Sequence, residues 1–374
     1  MIVGAGVSTQ FGLPLGGDLL TEIANKLKRE LKVLQGMRYN NQHIQNLFHE
    51  KNNYPEKCFN QAPIINTKLC SLIANARAQS PHESLPSMGL IYDSFKGLEG
   101  LLRGQTADTI DDFIAQNPGV SENAKLAVGV DFFQKLYSLD SNSRTYLLKP
   151  IHSRMPSGQR NWVHLLINLV RQGIRLGKVS KDNPVKIITF NYDNILEFIL
   201  EEQFSNTQME MPNWQDVFQI HHVHGHMANL PKEVRSPFEL CESWAESISV
   251  IHEGNIPEHI DAERDKARLI AANAKNIYVC GFGFSGANVR LLGLDHPTTN
   301  FHQRNIHYCN YAGNIGLNYS AKKLEGKRSV IKQSGSKSIQ TTVDTKIFEL
   351  SGSREKPMTI TDWFYTGTPG ELPS

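Results

Sequence analysis

The sequence predicts an α/β fold, in which a parallel sheet is flanked by helices and interrupted by a mainly helical insertion. Short apolar runs at residues 1–3, 185–190, 217–220 and 276–280 each give way to a turn or to the start of a helix. Between them lie segments whose apolar residues recur at helical spacing. Strands alternating with helices favour a parallel sheet.

Taken in order, the first run leads into Gly4-Ala5-Gly6-Val7-Ser8. Leu19, Leu20, Ile23, Leu27, Leu31 and Leu34 then predict a helix with one buried face. Residues 36–88 are rich in Asn, Gln, Lys, His and Pro and read as loops and short helices outside the sheet. Thr109-Ile110-Asp111-Asp112 opens a short helix by a capping-box-like pattern, and segments near 122–138 and 160–178 carry helical periodicity. The strand at 185–190 precedes a helix beginning near Asp193, the strand at 217–220 leads toward His224, and the strand at 276–280 leads into Gly281-Phe282-Gly283-Phe284-Ser285. Further strands are expected at 306–308 and around 328–332 and 339–350; the last two dozen residues have little periodicity and read as a wrapping or partly disordered tail. The expected division is a discontinuous Rossmann-like core at 1–34 and 150–325, a helical insertion at 35–149, and C-terminal strands and tail at 326–374.

A chain of 374 residues with 40% hydrophobic residues can bury the core of one large domain with an insertion, or of two domains. A net charge of +2 gives no general electrostatic case for nucleic acid. No run approaches the roughly 18 apolar residues of a membrane span. The N-terminus has no basic leader, so its glycines fit a phosphate loop better than a signal peptide. Its very short first strand fits either a start further upstream or an edge strand. Cys58, Cys70, Cys241, Cys280 and Cys309 are odd in number and form no C-x-x-C pair, so neither a disulfide framework nor a zinc ribbon is indicated, and a reducing cytoplasm is the expected compartment. Cys280, in an apolar strand, reads as a small buried residue rather than a nucleophile.

Three phrases carry the chemistry. Gly4 and Gly6 permit a tight turn close to a ligand, with helix N–H groups beyond it facing a phosphate. A dinucleotide fingerprint of the hydride-transfer kind needs a third glycine, where Thr9 stands, and an acidic strand end about 20 residues on, which is missing. Asn191 and Asp193 follow the second apolar run and His224 follows the third. An amide, a carboxylate and an imidazole are thereby expected at the sheet edge where open α/β folds bind ligands. Structural alternatives stand beside these roles. Asn191 is also a good helix cap and Asp193 a favourable first-turn acid. Asp111 and Asp112 read as capping residues, and Arg290 as a solvated helix position rather than a phosphate contact.

The phrases resemble the sirtuin superfamily, and more closely its divergent bacterial sirtuin-like NAD hydrolases of antiphage defence. The resemblance extends over roughly residues 1–310, with the insertion unmatched in detail. It implies that Gly4, Ala5, Gly6 and Ser8 form a pyrophosphate loop, echoed by Gly12-Leu13-Pro14. Asn191 falls on the catalytic asparagine, Asp193 on the acid two residues later, expected to bind the cofactor by accepting from the nicotinamide carboxamide, and His224 before Gly225 on the catalytic histidine, with Leu196 and Glu197 completing the pattern. Gly281, Gly283 and Ser285 fall on a nucleotide-contacting loop, with Asn288 just beyond. Protein deacetylases of the superfamily carry a Phe-Arg pair where Leu15-Gly16-Gly17-Asp18 stands here, and a four-cysteine zinc module that this chain lacks. The implied activity is therefore cleavage of NAD+, as substrate, to nicotinamide and ADP-ribose, by a homo-oligomer or a subunit of a two-component defence system. A non-hydrolytic NAD or ADP-ribose binding module, and a protein deacylase or ADP-ribosyltransferase, are the alternatives. His222, His224 and His226 would share one face of an extended strand and offer metal ligands. Because Gly225 is expected to end the strand, no metal is expected, and His221, His222 and His226 read as packing or supporting residues.

Overall fold

The computed structural model describes residues 1–36, 63–79, 88–140, 142–143, 145–149, 161–205, 212–227, 230–250, 256–296, 303–309, 315–334 and 337–349. The expected tail, and most of the stretch 36–88, lie outside the described residues. Ten strands are described: β1 (Ile2–Val3), β2 (Tyr137–Asp140), β3 (Thr145–Leu148), β4 (Val185–Thr189), β5 (Phe218–His222), β6 (Glu233–Val234), β7 (Asn276–Cys280), β8 (Gln303–Tyr308), β9 (Gly326–Ser334) and β10 (Lys337–Glu349). The chain forms two compact units, one of Met1–Gly12, His152–Gly225 and Gly254–Ser374, the other of Leu13–Ile151 and His226–Glu253.

The first unit holds a seven-stranded sheet in the order β5-β4-β1-β7-β8-β10-β9. All neighbouring pairs are parallel except β9 with β10. Counting only the parallel strands in chain order, the arrangement is the 3-2-1-4-5-6 order of a Rossmann-like fold. The chain leaves β1 for β4 and β5 on one side and returns to β7, β8 and β10 on the other, so the order reverses at β1. The edge-strand expectation for the N-terminus is thereby overturned: Ile2 pairs with Ile188 on one side and with Val279 on the other. Two apolar residues, each 1% exposed, suffice because a central parallel strand is buried on both faces.

Helices Trp162–Arg175, Ile195–Ser205 and Glu258–Asn273 flank this sheet. The first has a buried stripe at Val163, Leu166, Ile167 and Val170, and its N-cap Asn161 accepts a hydrogen bond from the His164 amide at 3.0 Å. β9 and β10 make a hairpin that joins the main sheet through β8, so the C-terminal strands expected as a separate segment extend the core.

The second unit is mainly helical. Helices Gly16–Gly36, Pro63–Gln79, Met88–Gly104, Ile110–Gln116, Ser121–Leu136 and Pro237–Ser247 are joined by a small antiparallel sheet, β2-β3-β6. Thr109 caps Ile110–Gln116 by accepting from the Asp112 amide. Asp131, fully buried on Ser121–Leu136, pairs with Lys26 and, at 3.3 Å, with Lys135. Helix Gly16–Gly36 belongs to this unit rather than to the core, because its apolar stripe packs on neighbouring helices of the second unit. The chain also returns to this unit for residues 226–253. Pro63–Gln79, at 17 residues, exceeds the short helices expected there. Among the described residues no helix is long and apolar enough to cross a membrane.

Candidate functional site

The parallel register brings the ends of β1, β4, β5 and β7 to one edge of the sheet. Val3 pairs with Thr189 and with Cys280, and Thr189 with His222. The turns that follow these residues are the expected site phrases.

The two glycine turns interlock backbone to backbone. The Gly4 amide donates to the Cys280 carbonyl and the Gly6 amide to the Gly281 carbonyl, each at 3.0 Å. Gly281 has φ +63°, and a Cβ there would stand 2.5 Å from the Val7 nitrogen. A Cβ on Gly4 would stand 2.6 Å from the Gly281 carbonyl oxygen. These glycines are thus required by each other. The amides of Gly4, Gly6 and Val7 are spent inside the turns, and the segment after Gly4 is a 3-10 helix, Ala5–Phe11, rather than the start of an α-helix. Ala5 is half-buried at its first position. A Cβ added to Gly283 would meet nothing within 4 Å. Ser285 caps the short helix Gly286–Leu291 by accepting from the Asn288 amide at 3.3 Å, and Arg290 lies exposed on that helix. Between Gly283 and Ser285, Phe284 adopts φ 52°, a left-handed backbone uncommon for a non-glycine residue.

The 3-10 helix presents Ser8 to the end of β4. The Asn191 side-chain amide donates to the Ser8 hydroxyl, which donates to Asp193 Oδ2, both at 2.8 Å. Asp193 Oδ1 accepts from the Ile195 amide at 3.2 Å, so Asp193, and not Asn191, caps helix Ile195–Ser205. All three residues are buried. The chain of donors fixes the orientation of the Asn191 amide. Its carbonyl oxygen Oδ1 is buried without a hydrogen-bond partner. Such a group is costly to leave unpaired, and sites of that kind call for an explanation. Burial pushes the Asp193 carboxyl pKa up, against the opposing pull of the Ser8 and Ile195 hydrogen bonds. A cavity of about 10 Å³, large enough for about one water, is lined here by Ser8, Trp162, Asn191, Asp193, Glu197 and His222. The Trp162 indole donates to the Val7 carbonyl at 3.3 Å.

β5 ends at His222, so the alternation that would align three histidines on one face does not continue to His224 and His226. Each residue before His224 is anchored. His221 Nδ1 meets Glu263 at 2.7 Å, His222 meets Glu197 at 2.5 Å and the Asn191 carbonyl at 3.2 Å, and the Val223 carbonyl accepts from Arg264 Nε at 2.7 Å. Arg264 is itself 1% exposed. His224, equally buried, packs its ring on Phe190 at 5.3 Å and on Tyr192 at 6.0 Å, the two residues flanking Asn191. The aromatic row continues from Phe190 to Phe282 at 4.8 Å, linking the turns after β4 and β7. For Glu263, burial opposes ionisation, but its hydrogen bonds to Lys266 and His221 prevail and hold the pKa below its ordinary value.

Asn191, Asp193 and Ser8 are therefore in direct contact, with His224 against the Asn191 segment. Gly4 and Gly6 meet Gly281, whereas Gly283 and Ser285 lie further along the last turn. Trp162, Arg264 and the supporting roles of Glu197 and Glu263 were not foreseen. Trp162 had a usable signal in the capping Asn161 before it. Arg264 had none, since its partner lies 41 residues away in sequence. Among the described residues no group of three or more His, Cys, Asp or Glu is placed to hold a metal ion. No protein-family model matches the chain, and no curated protein matches it.

Proposed function

We propose that the protein is an NAD+ hydrolase of the sirtuin-like kind, releasing nicotinamide and ADP-ribose, and that it acts as an antiphage-defence effector by depleting NAD+. The observation that supports the chemistry is the Asn191 amide, oriented by Ser8 and Asp193, with its carbonyl oxygen unpaired at the switch-point edge and His224 packed on its two neighbours.

NAD+ carries positive charge on its nicotinamide ring. As the ribosyl bond breaks, that ring leaves neutral and the sugar becomes oxocarbenium-like. Water adds at the anomeric carbon and one proton is released. An asparagine oxygen held as an acceptor can orient the water or a ribose hydroxyl, and an imidazole can take the proton near neutral pH. In this reading Asn191 orients and His224 is the base. Asp193 acts through Ser8, since both its oxygens are engaged within the protein. The space behind Asn191 is too small for a nucleotide, so NAD+ would lie on the outer side of the edge, over the turns at Gly4–Ser8 and Gly281–Ser285.

Purified protein incubated with NAD+ and followed for nicotinamide by chromatography tests this. The parent should release nicotinamide, and Asn191→Ala and His224→Ala should each lose it by about a hundredfold or more at unchanged folding. Binding of NAD+ without release would leave the non-hydrolytic binding module; no binding would sink the nucleotide site. Such an activity needs restraint, which the reading assigns to self-association or a partner. Light scattering that shows only monomer, with and without NAD+, would remove self-association.

A further inference from the structure

His222 stands outside the catalytic roles above, yet it is buried beside them with both ring nitrogens engaged. It is 8% exposed, with Nδ1 3.2 Å from the Asn191 main-chain carbonyl and Nε2 2.5 Å from Glu197 Oε1. We propose that His222 is a positioning residue for Asn191, and that a proton shared between His222 and Glu197 keeps it in that role. The assignment rests on the proposed role of Asn191 but goes beyond it.

The argument is one of donors and acceptors. A carbonyl oxygen can only accept, so Nδ1 must carry a hydrogen to bond Asn191. A second hydrogen is then needed on Nε2, where it meets the Glu197 carboxylate. Without that second proton, a neutral imidazole has one N–H for two acceptors. Keeping it on Nδ1 sets the Nε2 lone pair against the carboxylate. Moving it to Nε2 gives up the Asn191 carbonyl. Either way the segment carrying the Asn191 amide shifts, and misplacement of a catalytic group by about 1 Å can cost about a hundredfold in rate.

The surroundings favour the protonated pair. Glu197, on helix Ile195–Ser205, and Asp193, in the turn before it, are the acids facing the ring. The 3-10 helix Ala5–Phe11 brings no charged side chain. From helix Glu258–Asn273, Glu263 and Arg264 engage the adjoining residues His221 and Val223. Burial works against the imidazolium, but Glu197 and the Asn191 carbonyl outweigh it, and the pKa is held above its ordinary 6.5.

The test uses the full chain labelled with ¹⁵N in histidine and asparagine, with His222→Asn and Asn191→Ala to assign the two signals. Both His222 nitrogens should be protonated at the ordinary imidazole pKa of about 6.5, and the shared proton should be lost only above it. The Asn191 backbone resonance should move with the same transition. In His222→Asn, whose amide replaces Nδ1 and does not titrate, the Asn191 signal should stop moving with pH. If NAD+ is hydrolysed, the parent's kcat should fall along the same alkaline limb. His222→Asn should flatten that limb and keep most of the rate, whereas His222→Phe should lose kcat by about tenfold or more. A His222 already neutral and in a single tautomer at about pH 6.5, or an Asn191 signal indifferent to its titration, overturns the proposal. The resonances report on the pair whether or not NAD+ is cleaved. Failure of the hydrolase reading is therefore separable from failure of the clamp.

Discussion

At the scale of the residue, the sharpest contrast lies within one turn. Gly281 combines a left-handed backbone with main-chain atoms of Gly6 and Val7 within 2.8 Å of any added Cβ, and backbone cannot swing aside as a side chain can. Gly283, two residues on, has open space and no positive φ. Gly281→Ala should therefore destabilise the protein, with about 1–3 kcal/mol from the backbone conformation alone and more from the clash. Gly283→Ala should stay within about 0.5 kcal/mol of the parent. Denaturant midpoints decide it, and equal losses in the two variants would mean that the turns do not interlock as described. The family resemblance pointed to both glycines for one reason, contact with a nucleotide. Packing separates them, because the partner of Gly281 lies 275 residues earlier, a contact that no local pattern reveals.

At the scale of the element, one buried acid secures a helix of the second unit. Glu30, 3% exposed on Gly16–Gly36, accepts from the Ile64 and Ile65 amides at 3.1–3.2 Å, and so caps Pro63–Gln79 from outside its own segment. Burial raises its pKa to about 7, offset in part by those amides and by Lys26 and Arg29. A raised carboxyl pKa means that the folded state holds the proton more tightly than the unfolded state. The stabilisation is full below the unfolded value near 4.5 and is lost as pH rises through about 7. The size is about 3 kcal/mol by linkage. Glu30→Gln should start below the parent in unfolding free energy at acid pH, by about 1 kcal/mol for the weakened cap, and the gap should close or reverse toward about pH 8. Parallel curves over that range would refute the assignment. The helices Gly16–Gly36 and Trp162–Arg175 were legible because a single buried stripe sets their periodicity. The β2-β3-β6 sheet was not, since its strands have two to four residues and the third comes from a returning segment. Which unit a helix joins was equally hidden: periodicity shows that a face is buried, not against what.

At the scale of the whole molecule, the sheet order explains why residues so distant in sequence were legible as one site. In a parallel sheet whose order reverses at β1, the turns after β1, β4, β5 and β7 share an edge, so a phrase recognised after each strand is a phrase at that edge. The same topology carries a consequence for control. The chain leaves the first unit at Gly12, four residues after Ser8, and again at Gly225, directly after His224. Both loops bearing the site thus run by covalent continuity into the second unit. Loosening that unit should be felt at those loops before it is felt in the central strands. Asp131→Asn provides the perturbation, because it removes the buried counter-charge of Lys26 and leaves Lys135 with Glu22, a loss of about 1–3 kcal/mol. Hydrogen exchange should then quicken in the helices of the second unit and also across residues 5–11 and 221–225, while β4 and β7 keep their protection. Faster exchange confined to the second unit would show that its stability is not transmitted to the site, and that any regulator acting through it must touch the site loops directly.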